Sequence, residues 1–251
     1  MLVLVARQRV PEGPPPAPAV QKVSVRYAKR GRLRFSSTRD FQRALERAVR
    51  RAGVPMAFSA GFHPHPRISY ANAAPTGAAS EAEYFQLQLT QQCDLEALRA
   101  ALDESLPHDM AVLRVVEAAP GALADLLQAS VWQLDFEGVT LETITDAVAT
   151  FMDRAELLVT RMTKSGAREF DVRQAVLASD VVLVRAGDAD GRDLVRWTMT
   201  IQHTTPAVRP IDVMTGLTEL TGLQVPRSPL MTRLAQGVLE ADGRVIDPFD
   251  A

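Results

Sequence analysis

Residues 37–52 read Ser-Thr-Arg-Asp-Phe-Gln-Arg-Ala-Leu-Glu-Arg-Ala-Val-Arg-Arg-Ala, and their pattern predicts a helix. Ser37 and Asp40 have the spacing at which a hydroxyl caps the first turn while an acid answers its exposed N–H groups. Phe41, Ala44, Leu45, Ala48, Val49 and Ala52 then recur at i, i+3, i+4, i+7, i+8 and i+11, an apolar stripe that has to face a sheet. Arg39, Arg43, Arg47, Arg50 and Arg51 hold the other side, and Gly53 with Pro55 stops the helix.

Strands flank this helix in a legible order. Lys22 to Tyr27, continuing through Leu33 to Phe35, reads as a strand before it. After it come extended segments at Met56–Phe58 with Arg67–Ala71 and at Glu83–Leu89, a helix at Leu95–Ser105, and a strand at Met110–Val116. That order is βαββαβ, the split arrangement of ferredoxin-like domains. It recurs beyond Gly121: a strand at Val131–Phe136, a helix at Leu141–Arg154, strands at Glu156–Met162, Val181–Val184 and Leu194–Gln202, a helix at Pro210–Leu220 and a strand at Met231–Leu239. The expectation is an α+β chain of two tandem ferredoxin-like units with antiparallel sheets. A Pro-rich tail occupies residues 1–20, a basic domain 21–119, an acidic one 120–240 and a second tail 241–251.

Charge is unevenly distributed between these halves. Lys22 to Arg67 carries twelve Lys/Arg against Asp40 and Glu46, a local +10 on a chain of formal net charge -2. The remainder, with 16 basic and 28 acidic residues, carries −12. Arg26, Lys29, Arg30, Arg32 and Arg34, just ahead of the helix, add to its arginines. Summed like charge of this kind raises the local potential and attracts anions, nucleic acid foremost. A solvated face offset by the acidic half is the plainer explanation.

The loop Ser59-Ala-Gly-Phe-His-Pro-His-Pro-Arg67 is the densest chemistry in the chain. Two prolines fix φ and remove donors, so Phe62, His63, His65 and Arg67 ride on a stiff loop. Three uses stay open: ordinary hydrogen bonding or ligand contact, a metal site, and acid–base cleavage of RNA by His63 and His65. An H-x-H pair without a third ligand nearby argues weakly for metal, and no cofactor is expected. Cys93 is the only cysteine, which rules out a disulfide framework or an iron–sulfur cluster built from this chain alone. No apolar run reaches the ~18–20 residues of a membrane span, and Met1–Val5 lacks the build of a signal peptide, so a cytoplasmic protein is expected.

Taken together, Gly31-Arg-Leu-Arg-Phe35, Ser37, Asp40, Glu46-Arg47-Ala48, Arg50-Arg51, Pro55, Ser59-Ala-Gly-Phe62, Pro64-His65-Pro66, Pro75, Gly77, Ser80 and Glu83 resemble the radical SAM-linked DUF2344 family. The resemblance is strongest over residues 22–120, and Asp171-Val172-Arg173 and Arg209-Pro210 fit its later pattern. It departs at Thr38, where family members often have His. The resemblance implies a radical SAM enzyme as partner. It carries no settled activity, so three functions are weighed: a non-catalytic accessory protein that presents RNA or a ribonucleoprotein, a metal-independent endoribonuclease, and a protein-docking scaffold. Oligomeric state is not legible.

Overall fold

The computed structural model describes residues 16–163, 166–185 and 194–251. The expected N-terminal tail lies outside them up to residue 15, and residues 16–20 are exposed and outside any helix or strand. In chain order the elements are β1 (Gln21–Lys29), a 3-10 helix (Gly31–Phe35), α1 (Thr38–Arg51), β2 (Ile68–Ala71), β3 (Ala79–Leu89), α2 (Leu95–Ser105) and β4 (Val112–Glu117). A second 3-10 helix (Leu123–Leu126) leads into β5 (Ala129–Glu137), α3 (Leu141–Met152), β6 (Leu158–Thr163), β7 (Gly166–Asp171), the single-turn α4 (Val172–Ala175), β8 (Val176–Val184), β9 (Leu194–Gln202), α5 (Pro210–Thr221), β10 (Leu230–Leu239) and β11 (Val245–Ile246).

The result is a mixed α+β fold on a mostly antiparallel sheet. Its main path runs β4-β1-β3-β10-β5-β9-β8, with β2 added to β3 and β11 to β10, nine strands in all among the described residues. Two separate sheets were expected; one continuous sheet is found. A short parallel pairing joins the halves, Thr232 opposite Ala79 and Arg233 opposite Ser80. β2 and β10 share one edge of β3, β2 along Tyr84–Leu87 and β10 along Ala79–Ser80. Among the described residues no helix is long and apolar enough to cross a membrane.

Two large cores lie on the same face of the sheet. In the first, Val23, Val25, Tyr27, Phe85 and Leu87 meet Phe41, Leu45 and Ala48 of α1 and Leu98 and Leu102 of α2. In the second, Trp132, Leu134, Phe136 and Trp197 meet Ile144 and Phe151 of α3 and Val213 and Leu217 of α5. Cross-strand partners share a face, so Glu83, opposite Tyr27, points into the first layer and Arg233, opposite Trp132, into the second. Their side chains meet across the seam.

Four local expectations are corrected. Leu33–Phe35 does not prolong a strand, because Gly31 turns the chain (φ 49°) into the 3-10 helix. Met56 and Phe58 make only isolated bridges, to Leu89 and Pro66, and β2 starts at Ile68. The segment read as the second strand of the second unit, Glu156–Met162, instead supplies one arm of the β6–β7 hairpin outside the main sheet, and its hydrophobic residues Leu157 and Val159 pack into the second core. Residues 241–251 are not a loose tail. β11 pairs with β10, Asp247 bonds Arg26, and Phe249 meets Tyr84 edge-on at 5.3 Å, covering the face of the first half that carries no helix.

Candidate nucleic-acid interface

α1 forms where its sequence pattern requires it. Ser37 Oγ accepts the Asp40 N–H at 3.2 Å while Asp40 Oδ2 accepts the Ser37 N–H at 3.2 Å, a completed capping box. The Ser37 hydroxyl, donating to Asp40 Oδ2 at 2.7 Å, and the Ser37 N–H, with the fields of Arg43 and Arg39, hold the Asp40 carboxyl below its usual range. Phe41, Leu45, Ala48 and Val49 are buried, and Tyr27 stacks flat on Phe41 at 4.3 Å. Burying that stripe stabilises the docked helix by roughly 1.5–3 kcal/mol for each of the large side chains, and it forces the arginines outward.

Arg39, Arg43, Arg47 and Arg50 are exposed, and among the described residues none makes a hydrogen bond or ion pair. Arg32 is equally exposed and unpartnered. Arg51 reaches the Ser105 carbonyl at 3.3 Å, and Arg34 lies 4.4 Å over the exposed Phe35 ring. These groups form an open cationic surface.

The strand cations are placed differently. Arg26 is bound to Asp247 and donates to the Glu81 carbonyl at 2.9 Å. Arg30 grips the Glu81 carboxylate with two bonds. Lys29 is 4% exposed and donates to the Ala74 carbonyl at 3.4 Å. Lys29 and Arg26 are drawn into the fold, and Arg30, though exposed, has its charge answered by Glu81, so these three tie the structure together where the sequence counted them with the open arginines, because their partners lie far away in the chain.

The Gly61 loop sits at the C-terminal end of β3, where α1 also delivers its last turn. Met56 bridges Leu89 and β2 pairs Ile68 with Leu87. The loop closes on itself: the Ser59 N–H donates to the His65 carbonyl at 2.9 Å, and the His65 N–H donates to Ser59 Oγ at 3.0 Å. Gly61, at φ 131°, takes a backbone that a side chain would strain. Phe62 is 61% exposed, His63 and His65 are exposed, and Arg67 donates to Gln88 at 3.2 Å. No described group of three or more His, Cys, Asp and Glu is arranged to hold a metal ion.

A second polar cluster, which no local motif announces, occupies the seam. Arg233 pairs with Glu83, donates to Gln236 Oε1 at 3.1 Å and lies against Ser80 Oγ, with its guanidinium 5.5 Å over Trp132. The other Glu83 oxygen accepts the Ala74 N–H at 3.0 Å. Burial holds the Lys29 ammonium below its usual pKa, opposed by Glu83 and aided by Arg233. Beside this cluster, His203 Nδ1 is 2.6 Å from the Leu127 carbonyl. A carbonyl only accepts, so Nδ1 carries the proton and Nε2 accepts from Ser130 Oγ at 2.7 Å. Ser130 is 1% exposed, and its bond holds the His203 ring in one orientation.

Burial, with Arg233 nearby, lowers the His203 pKa from 6.5, against the pull of the Leu127 carbonyl. The unfolded chain therefore binds this proton first, and the folded state loses stability as pH falls below about 6.5, until the lowered folded value is reached. Thermal midpoints recorded from about pH 7.5 to about pH 5 are expected to fall less steeply for His203→Gln than for the native chain; parallel profiles would show that other groups dominate.

Fold and site together define a mixed α+β protein that presents a basic helix beside a stiff aromatic and imidazole loop. Over residues 22–210 the chain matches the family described as "Uncharacterized protein conserved in bacteria (DUF2344)", and it belongs to that family. No curated protein sequence matches it. Among solved structures, the crystal structure of an unknown protein from Galdieria sulphuraria is similar at 12% identity, over 84% of this chain and 98% of its own, with a TM-score of 0.23.

Proposed function

We propose that this is a non-catalytic accessory protein that binds RNA or a ribonucleoprotein through α1 and the Gly61–Arg67 loop, and that it serves a radical SAM enzyme. The observation that carries the binding surface is the set of exposed, unpartnered arginines Arg39, Arg43, Arg47 and Arg50 on one helix face. Ion pairing with neighbours would have silenced them; free, they are available to phosphates. Exposed Phe62 and Phe35 offer faces on which unpaired bases stack. The partner enzyme rests on the sequence resemblance alone, and a chain with one cysteine leaves the cluster chemistry to that partner.

The scaffold we infer is a pair of ferredoxin-like units fused edge to edge. Numbered within each half, β4-β1-β3-β2 and β10-β5-β9-β8 run in one spatial order, fourth, first, third, second, with β6, β7 and α4 inserted into the second. This supports units near 21–119 and 120–240.

Binding to total RNA, measured against salt, tests the proposal. Association is expected to weaken steeply with salt, and Arg43→Glu, Arg47→Glu, Arg50→Glu to flatten the slope of log K against log salt by about 2–3. Salt-independent or absent binding would sink the RNA reading and favour docking on protein. Shortening of the RNA, abolished by His63→Ala or His65→Ala, would turn the accessory reading into the ribonuclease one.

A further inference from the structure

On the helix side of the sheet, where the halves meet, a cavity of about 450 Å³ opens between the Asn72–Pro75 segment, the end of β9 and the start of α5. Its size is that of a small-molecule site, and such sites favour the junction of two units. Its lining holds two arginines, Arg209 and Arg233, and no Asp or Glu, in a chain where acids outnumber bases 30 to 28.

The charge around it is not balanced. Arg209 is exposed, and among the described residues its side chain has no hydrogen bond or ion pair. The nearest acid along the chain, Asp212, is bound to Arg161 and caps α5 by accepting the Arg209 backbone N–H at 2.8 Å. At the back of the cavity Arg233 pairs with Glu83, and the buried Lys29, bonded to the Ala74 carbonyl, feels the field of that same carboxylate without an ion pair to it, so one carboxylate faces two buried basic side chains. His203 adds no charge, since its Nε2 accepts from Ser130. Excess positive charge in a walled recess focuses the field on an anion. Leu127, Ile201 and Val208 supply apolar wall, while Asn72 and Thr204 supply polar groups.

We propose that this cavity binds a small organic anion, its carboxylate or phosphate on Arg209 and its apolar or flat body against Leu127, Ile201 and Val208. The site is separate from the α1 surface and does not depend on the RNA reading. Trp132 lines the cavity, so its emission reports occupancy. A Trp197→Phe background leaves it the sole tryptophan, since the chain has two.

Two probes distinguish the head groups: adenosine 5′-monophosphate for phosphate and 3-phenylpropionate for carboxylate, with adenosine and inorganic phosphate as controls. The expected result is saturable binding of at least one probe, seen in Trp132 emission and by calorimetry, weakened about tenfold or more by Arg209→Glu and retained by Arg209→Lys. Arg43→Glu, Arg47→Glu, Arg50→Glu is expected to leave it unchanged. Thermal midpoints close to the native value show that the variants are folded. No binding of either probe, or binding that survives Arg209→Glu, overturns the proposal. So does binding lost in the α1 variant, which would place the anion on the helix.

Discussion

Replacing Glu83 with Gln is expected to destabilise the protein by about 3–5 kcal/mol, the usual cost of removing one partner from a buried ion pair. The amide keeps the shape of the side chain, and its oxygen can still accept the Ala74 N–H. It would leave Arg233, 2% exposed, and Lys29, 4% exposed, with no counter-charge in the seam. Lys29 escapes by releasing its proton, a direction in which burial already pushes it; a guanidinium has no such exit. For a chain of this length the thermal midpoint falls by roughly 6–20 °C. Lys29→Met, Glu83→Leu, Arg233→Met together is expected to recover most of that loss, because well-packed apolar replacements avoid the desolvation cost that buried ions carry. Denaturant unfolding of both variants is the check. A single-variant loss below about 1 kcal/mol would mean that water reaches the seam and that the pair is an ordinary surface bridge.

That seam also marks the limit of what the chain discloses locally. α1 was legible in full because its information lies within one short segment, residues 37–55: a capping box, an apolar stripe and a Gly-Pro stop. The outward direction of Arg39, Arg43, Arg47 and Arg50 follows from the same stripe. Lys29 and Arg26 look identical to them in composition, yet they are withdrawn from the surface by Glu83 and Asp247, and Asp247 lies 221 residues from Arg26. Charge patterning counts residues along the chain and has no knowledge of such partners.

The second half blurred for a related reason. β8 is an edge strand whose Leu177, Val182 and Leu183 remain exposed, so its alternation between faces is weak, and its first half, from Val176 on, escaped detection. Leu158–Thr163 has strand composition but among the described residues pairs only with β7, and periodicity cannot say with which neighbour a strand pairs. Fusion of the halves rests on the two register pairs of β3 with β10, strands that stand far apart in the chain. The cavity owes its existence to that fusion, which is why Asn72, Arg209 and Arg233 read from the sequence as unrelated residues.

Gly237→Ala is expected to release the C-terminal segment. Gly interrupts β10 in sequence and reads there as a weak point in a strand, where Ala by itself would gain roughly 0.5–1 kcal/mol. The fold reverses that sign. A Cβ on residue 237 would stand 1.8 Å from the Ile246 carbonyl oxygen and 3.1 Å from Pro248 Cδ, and backbone cannot yield by the distance required. β10 is central and anchored on both sides, so the segment that gives way is 241–251. Its departure forfeits the pairing of Val238 with Ile246, the Arg26–Asp247 and Arg114–Asp250 bridges and the Phe249 contact with Tyr84. The aromatic burial, the ring contact and the largely buried Arg26–Asp247 bridge dominate, since the half-exposed Arg114–Asp250 bridge contributes little, and the loss is expected at about 2–4 kcal/mol. Hydrogen exchange in residues 241–251 is expected to rise sharply while exchange in α1 and β3 stays low. A chain shortened after Glu240 separates the causes: without Ile246 to strike, Gly237→Ala becomes neutral or slightly stabilising. Equal destabilisation in the shortened chain would place the cost in β10 itself and overturn the assignment of Gly237 as the seat of the closing strand.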